Sequence, residues 1–264
     1  MIPYFHLEPI GIQGVLAIQP AGILLIVGVA AGWLACEAAA RKRHIPVAVV
    51  RDFMPRLLLG LLVGSRVGEL LFYRPAELFA GLQGIRAVLQ GESSLGALLG
   101  ALGMGYFYVL HLRRKALPLF QSREGVMSFI DVMLYGVTFG WFFGRLGCFV
   151  VHDHPGTVTT FWLGVQGICV SAPSAAACHD LGLYEAGLAL AIFLALTAFS
   201  WGAWSSGHVT IFIALAYASV RLLLDFLRDP STDARYLGWT PAQYACLLTV
   251  LFCVRWLWRR ARPH

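Results

Sequence analysis

"VMSFIDVMLYGVTFGWFFGRLGCFVVHDHPG", residues 126–156, is an apolar run that ends in an arginine and a cysteine and then turns polar as His-Asp-His-Pro-Gly. A helix needs roughly 20 predominantly apolar residues to cross the hydrocarbon core of a bilayer, and the part from 126 to about 149 meets that length. The composition agrees. Of 264 residues, 58% are hydrophobic and 13% charged, and the mean hydropathy is +0.71; a soluble domain carries about 25% charged residues. The expected class is all-α, a polytopic integral membrane protein.

Outward from that run, six more stretches of suitable length stand at about 16–36, 54–73, 93–112, 184–204, 208–228 and 240–258, with Glu92, Ser93 and Ser94 crowding the start of the third. The expectation is therefore seven transmembrane helices in one membrane domain, 1–264, with an external loop at about 150–183. Basic residues set the orientation. Arg41, Lys42, Arg43, Arg51 and Arg56 lie between the first two stretches, Arg113, Arg114, Lys115 and Arg123 after the third, and Arg255, Arg259, Arg260 and Arg262 at the end. The opposite loops hold only Arg74, Arg86, Arg228 and Arg235. The positive-inside rule then puts the amino terminus outside and the carboxyl terminus in the cytoplasm. A net charge of +6 reads as topology signal and anionic-lipid contact rather than a nucleic-acid footprint. The first nineteen residues lack Lys and Arg and contain Pro3 and Pro9, unlike a cleaved signal peptide, so the amino terminus is expected to be retained.

Gly60, Gly64 and Gly68 recur at every fourth position, as do Gly136, Gly140 and Gly144, a pattern that lets helix backbones approach closely. Cys36, Cys246 and Cys253 fall in predicted helices as small buried hydrophobes. Cys169 and Cys178 share the external loop, where an oxidising compartment permits a disulfide.

An arginine within the bilayer is costly and marks a functional site by default. Arg66, Arg145 and Arg221 each fall in the last third of an outward-running helix, which places them at similar depth near the outer headgroups. Tyr217, Arg221, Asp225 and Arg228 recur at steps of four, four and three, on one helix face. Arg66 precedes Glu69 by three residues, which allows a local pair. Two readings stand: interhelical salt bridges with snorkelling side chains, or a cationic pocket for the phosphate of a phospholipid, whose oxygens match guanidinium forks. Next to these arginines Cys148 and His152 are four residues apart, and a thiol beside an imidazole is activated as a nucleophile. His152 and His154 flank Asp153; two loop histidines without further ligands do not make a metal site, and neither a metal nor a cofactor is expected. His179, Asp180, Tyr184 and Glu185 gather at the mouth of the fifth helix, either as acid-base groups or as solvated loop residues.

At these residues the chain resembles the bacterial prolipoprotein diacylglyceryl transferases. Gly144-Arg145-Leu146-Gly147-Cys148-Phe149-Val150-Val151-His152-Asp153 is similar to that family's Gly-Arg-x-Gly-Asn-Phe-x-Asn-Gly-Glu. "GSRVGELLFY", "HDLGLYEA", "RLLLDFLRDP" and "GWTPAQ" resemble further family motifs, in order along nearly the whole chain. The resemblance implies a seven-helix enzyme of the bacterial inner membrane. Such an enzyme moves the diacylglyceryl group of phosphatidylglycerol to the thiol of a lipobox cysteine in a prolipoprotein, releasing glycerol phosphate. It also implies that Arg145 and Arg221 bind phosphate, and Asp225 stands where the family has Glu. The pattern departs at Leu95, in the place of a family histidine, and at Cys148, Val151, His152 and Asp153. Leucine exchanges no proton. Either His152, His154 or His179 supplies the base, with Asp153 beside it, or the acceptor or the chemistry differs. The alternatives are a phospholipid-dependent transferase with another acceptor, and a non-catalytic lipid-binding membrane protein. A transporter is disfavoured, because no paired repeat with interrupted helices surrounds a midplane site.

Overall fold

Pro20 decides where the first helix begins. The computed structural model describes residues 1–12, 16–72, 93–172, 176–199, 205–231 and 235–261; Arg74, Arg86, Glu92 and Arg262 lie outside them. Helix α1 spans Pro20–Lys42, not 16–36 as expected, because proline suits the first helical turn, where its missing N–H is no loss. The residues before it form a hairpin instead, β1 (Ile10–Ile12) antiparallel to β2 (Leu16–Ile18), with Ile10 opposite Ile18.

Among the described residues six more long helices follow: α2 (Val47–Phe72), α3 (Ser94–Arg114), α4 (Arg123–Val151), α5 (Leu181–Ala198), α6 (His208–Leu224) and α7 (Pro241–Ala261). A single helical turn, Pro118–Gln121, precedes α4, and a 3-10 turn, Asp225–Leu227, follows α6. Helix α2 starts seven residues earlier than expected and carries Pro55 inside it. Ser93 caps α3 by accepting the Gly96 N–H at 3.1 Å, which places Leu95 in the first turn of α3 rather than in a loop. Among the described residues five helices are long and apolar enough to cross a membrane: α1, α4, α5, α6 with its 3-10 extension, and α7. The chain is a predominantly helical membrane protein.

The chain divides into two compact units, Met1–Ala39 with Ile130–His264, and Ala40–Phe129. In the unit Ala40–Phe129, glycines let α2 and α3 meet backbone to backbone: a Cβ on Gly60 would lie 2.8 Å from the Gly100 carbonyl oxygen and 2.9 Å from Met104 Cβ. The Tyr108 hydroxyl bonds Asp52 at 3.0 Å, and its ring stacks on Phe53 at 4.8 Å. Arg66 sits half-buried on α2.

In the other unit α1 packs on α4 the same way, Gly32 against Gly136 and Gly28 against Gly140, whereas Gly144 faces open space and leaves that stripe. The buried Asp131 carboxylate caps α6, accepting from Gly207 N at 2.7 Å, Thr210 N at 2.9 Å and Thr210 Oγ1 at 2.6 Å. The polar segment expected as a plain external loop is folded. It forms an antiparallel sheet in the order β3 (Pro155–Val158), β5 (Ala177–Asp180), β4 (Val165–Gln166). Cys169 and Cys178 form a disulfide with Cα atoms 5.4 Å apart. Ile2 adds its backbone to β4 through bonds to Gly164 and Gln166. Asp180 then caps α5, accepting from Leu183 N at 3.2 Å, so that helix opens three residues before the expected 184.

The glycine contacts give a paired test. Gly60→Ala should lower thermal stability in detergent by about 1–3 kcal/mol through overpacking. Gly103→Ala, with nothing within 4 Å of the added Cβ, should be neutral or stabilising by up to about 1 kcal/mol through helix propensity. Midpoints from size-exclusion after heating check the difference.

Candidate active site

Glu185 lies in the second turn of α5 and is fully buried. A lone buried carboxylate would be strongly disfavoured, and three donors converge on this one. Arg145 Nη2 from α4 meets Oε2 at 3.0 Å, the Tyr217 hydroxyl from α6 donates to Oε2 at 2.8 Å, and Arg221 Nη1 pairs with Oε1. The arginines are 13% and 12% exposed, so both guanidiniums are largely removed from water while keeping an open edge. The residues come from three helices, and the i, i+4 spacing of Tyr217 and Arg221 puts both on the α6 face toward Glu185.

Asp225 forms a second node. It accepts from Arg221 Nη2 at 3.2 Å and Arg228 Nε at 3.2 Å, and its other oxygen takes the Thr240 hydroxyl. Thr240 is also the N-cap of α7: its Oγ1 accepts from Gln243 N at 3.2 Å, and Gln243 Oε1 accepts from Thr240 N at 2.9 Å. This reciprocal capping box locks α7 to the end of α6. The two nodes gather three guanidiniums, Arg145, Arg221 and Arg228, around two buried carboxylates, Glu185 and Asp225.

Arg145 also borders the polar end of α4. Its guanidinium lies over Trp141 at 4.7 Å from the ring centroid, its Nη1 is 3.2 Å from His154 Nε2 and 3.9 Å from Cys148 Sγ, and its Nε, shielded from solvent, makes no hydrogen bond. Because Arg145 only donates, His154 Nε2 must be the acceptor. The proton of a neutral imidazole then sits on Nδ1, which bonds the Asp153 carboxylate. Cys148, Asp153 and His154 each place a donor atom within 4.8 Å of the others.

His152 goes elsewhere. The helix does not persist to put it beside Cys148. It stops at Val151 in a Schellman turn, with His152 N bonded to Phe149 O at 3.3 Å and Asp153 N to Cys148 O at 3.4 Å. His152 takes the left-handed position of that turn, φ 52°, where glycine is usual. Both ring nitrogens are engaged, Nδ1 with Asp180 at 2.8 Å and Nε2 with the Phe5 carbonyl at 3.2 Å. Burial pushes the Asp180 carboxyl up, and the bond from His152 opposes that rise.

His179 pairs with Tyr184, Nδ1 to hydroxyl at 2.7 Å, and burial holds its pKa below the usual histidine range. The pair lines an apolar cavity of about 300 Å³ with Phe161, Leu163, Leu224 and Leu227. Gly144, next to Arg145, has nothing within 4 Å of a would-be Cβ. Arg66 belongs to the unit Ala40–Phe129. The sequence reading missed Trp141, Phe5, Thr240 and Gln243 as parts of this network; the Thr-x-x-Gln pattern of a capping box was the available signal for the last two.

The chain is similar to known proteins over nearly its whole length. The family model described as prolipoprotein diacylglyceryl transferase matches residues 9–259. Among curated relatives, the phosphatidylglycerol–prolipoprotein diacylglyceryl transferase of Nitratidesulfovibrio vulgaris (strain DP4) is 30% identical over 267 residues, covering 98% of this chain and 96% of that protein. The enzymes of that name from Roseobacter denitrificans and Agrobacterium fabrum are 28% and 27% identical, over 94% and 100% of this chain and 91% and 95% of their own lengths. With Arg145 and Arg221 of its matching motifs held on one buried carboxylate and the match running nearly end to end, the chain belongs to the prolipoprotein diacylglyceryl transferase family.

Proposed function

We propose that this chain is a transferase of the bacterial inner membrane. In this reading it is one membrane domain of seven transmembrane helices, amino terminus outside and carboxyl terminus cytoplasmic. It moves the diacylglyceryl group of phosphatidylglycerol to the cysteine thiol of a prolipoprotein. The observation that carries the reading is the pair Arg145 and Arg221 joined on Glu185, with His154 against the same Arg145.

The reaction asks for two things. As the acceptor sulfur attacks the glycerol carbon, the C–O bond to phosphate breaks and negative charge grows on the departing glycerol phosphate. Arg145 and Arg221, preorganised by Glu185 and backed by Arg228 through Asp225, stabilise that charge where water is scarce. The thiol proton needs an acceptor, and His154 Nε2, oriented by Asp153 through Nδ1, supplies its lone pair when it gives up the bond from Arg145 Nη1. His154 thus takes the role that the resemblance gives to a histidine where Leu95 stands. His152, with both nitrogens bonded, braces the loop, and His179 with Tyr184 lines the apolar cavity beside the site.

A second reading keeps the donor and changes the acceptor, and Cys148 favours it, since a thiol lies 3.9 Å from Arg145. A diacylglyceryl group on Cys148 would be an alkyl thioether, a poor leaving group, so Cys148 does not shuttle that group onward.

An assay of glycerol phosphate release with purified protein, phosphatidylglycerol and a lipobox peptide tests the proposal; absence of both release and lipid transfer removes it. Arg145→Lys and Arg221→Lys should each reduce kcat/KM by about 10²–10³-fold. His154→Ala should lose about 10²–10⁴-fold in kcat, partly restored by added imidazole. His152→Gly, which relieves the left-handed strain, should stay within about tenfold of the parent, an estimate that assigns His152 no step in proton transfer. Equal losses in both histidine variants would contradict these assignments.

A further inference from the structure

Three donors of different chemistry converge at the end of α4: the Cys148 thiol, the Asp153 carboxylate and a His154 ring nitrogen, one atom of each within 4.8 Å of the others. They come from a seven-residue stretch that a straight helix would not bring together. The Schellman turn at His152 folds Asp153 and His154 back over the last helical turn, with Asp153 N bonded to the carbonyl of Cys148 itself. We propose that Cys148, Asp153 and His154 form a binding site for a thiophilic divalent cation of the Zn²⁺ class, and that the ion, once bound, silences the transferase by taking His154 from Arg145.

Sulfur, nitrogen and oxygen together suit Zn²⁺, whereas Mg²⁺ and Ca²⁺ require oxygen ligands. Bonds of about 2.0–2.3 Å in a tetrahedron put neighbouring donor atoms about 3.5 Å apart. Closing the triangle from 4.8 Å asks Asp153, 46% exposed, to turn its carboxylate from His154 Nδ1 toward the ion. That exposure also supplies an entry path and leaves the fourth position to water. Binding exchanges the thiol proton of Cys148 for the metal, releasing it to solvent.

The ion would compete with a cation already in place. Arg145 Nη1 contacts both His154 and Cys148, so a doubly charged ion on the same lone pairs repels the guanidinium, which retains Glu185 as its partner. The lone pair assigned to proton abstraction is then consumed by the metal. The inhibition rests on the proposed transferase function, and the binding does not.

Two measurements on the full-length protein in detergent separate them. After chelator treatment, titration with Zn²⁺, and with Co²⁺ to reveal the thiolate-to-metal absorption band, should show one tight equivalent that excess Mg²⁺ does not displace. Cys148→Ser should abolish the band, and Cys148→Ser, His154→Ala and Asp153→Asn should each weaken binding at least tenfold while eluting as folded monodisperse protein. Binding unchanged in Cys148→Ser and His154→Ala, or no binding by the parent protein, overturns the site. In the transfer assay, saturating Zn²⁺ should lower the parent rate at least tenfold, reversibly with EDTA, while Cys148→Ser should need at least tenfold more Zn²⁺ for half-inhibition. Tight binding without inhibition overturns the silencing. An enzyme inactive with and without metal overturns the transferase reading and leaves the binding result standing.

Discussion

The Glu185 carboxylate is the constraint on which the site depends. A fully buried anion held by two guanidiniums and a phenol is poor evidence for stability, since desolvating the ions costs about as much as their attraction returns. What the arrangement secures is geometry. Arg145 on α4 and Arg221 on α6 would repel each other if brought together without a shared counterion. With Glu185 between them they present two forks at one place. Asp225 repeats the device one turn along α6, joining Arg221 to Arg228 and, through Thr240, to the start of α7. Four helices are thereby tied to one charge network, so a displacement of any of them is felt at the arginines.

The end of α4 is governed by a different kind of constraint, a backbone one. The turn needs a residue in the left-handed region, and this chain supplies His152 where the family pattern has glycine. A histidine there carries roughly 1–2 kcal/mol of strain, offset by bonds to Asp180 and to the Phe5 carbonyl. The same turn that occupies His152 aims Asp153 and His154 back toward Arg145. The two imidazoles, separated by one residue, therefore have opposite fates.

Long apolar stretches were legible in the sequence because membrane crossing imposes a length, and all seven stretches coincide with long helices among the described residues. Their ends were less legible. Pro20, Ser93 and Asp180 set them through caps and a proline, local chemistry that hydropathy averages away. Grouping Tyr217, Arg221, Asp225 and Arg228 was possible because i, i+3 and i, i+4 spacings survive the change from α to 3-10 at Asp225. The role of Glu185 as hub was not, since its partners sit 32 and 36 residues away on another helix. Reading Cys148 with His152 failed for a definable reason: the pairing assumes that the helix continues, and it stops at Val151. Gly144, placed in a packing stripe by its spacing, faces open space, while the contact of α4 with α1 continues at Gly147 against Ala21.

The departure of Leu95 from the family pattern acquires a physical sense from the same geometry. Under the proposed function the base is His154 rather than a residue at the place of Leu95, which lies in the first turn of α3. His154 is nine residues from Arg145, shares its unit and is hydrogen-bonded to it. In that reading the proton acceptor and the phosphate clamp are fixed to each other by one helix end. The cost is chemical. An imidazole tethered beside a thiol and a carboxylate is also a metal ligand, so the rearrangement that replaces the base creates the means of blocking it.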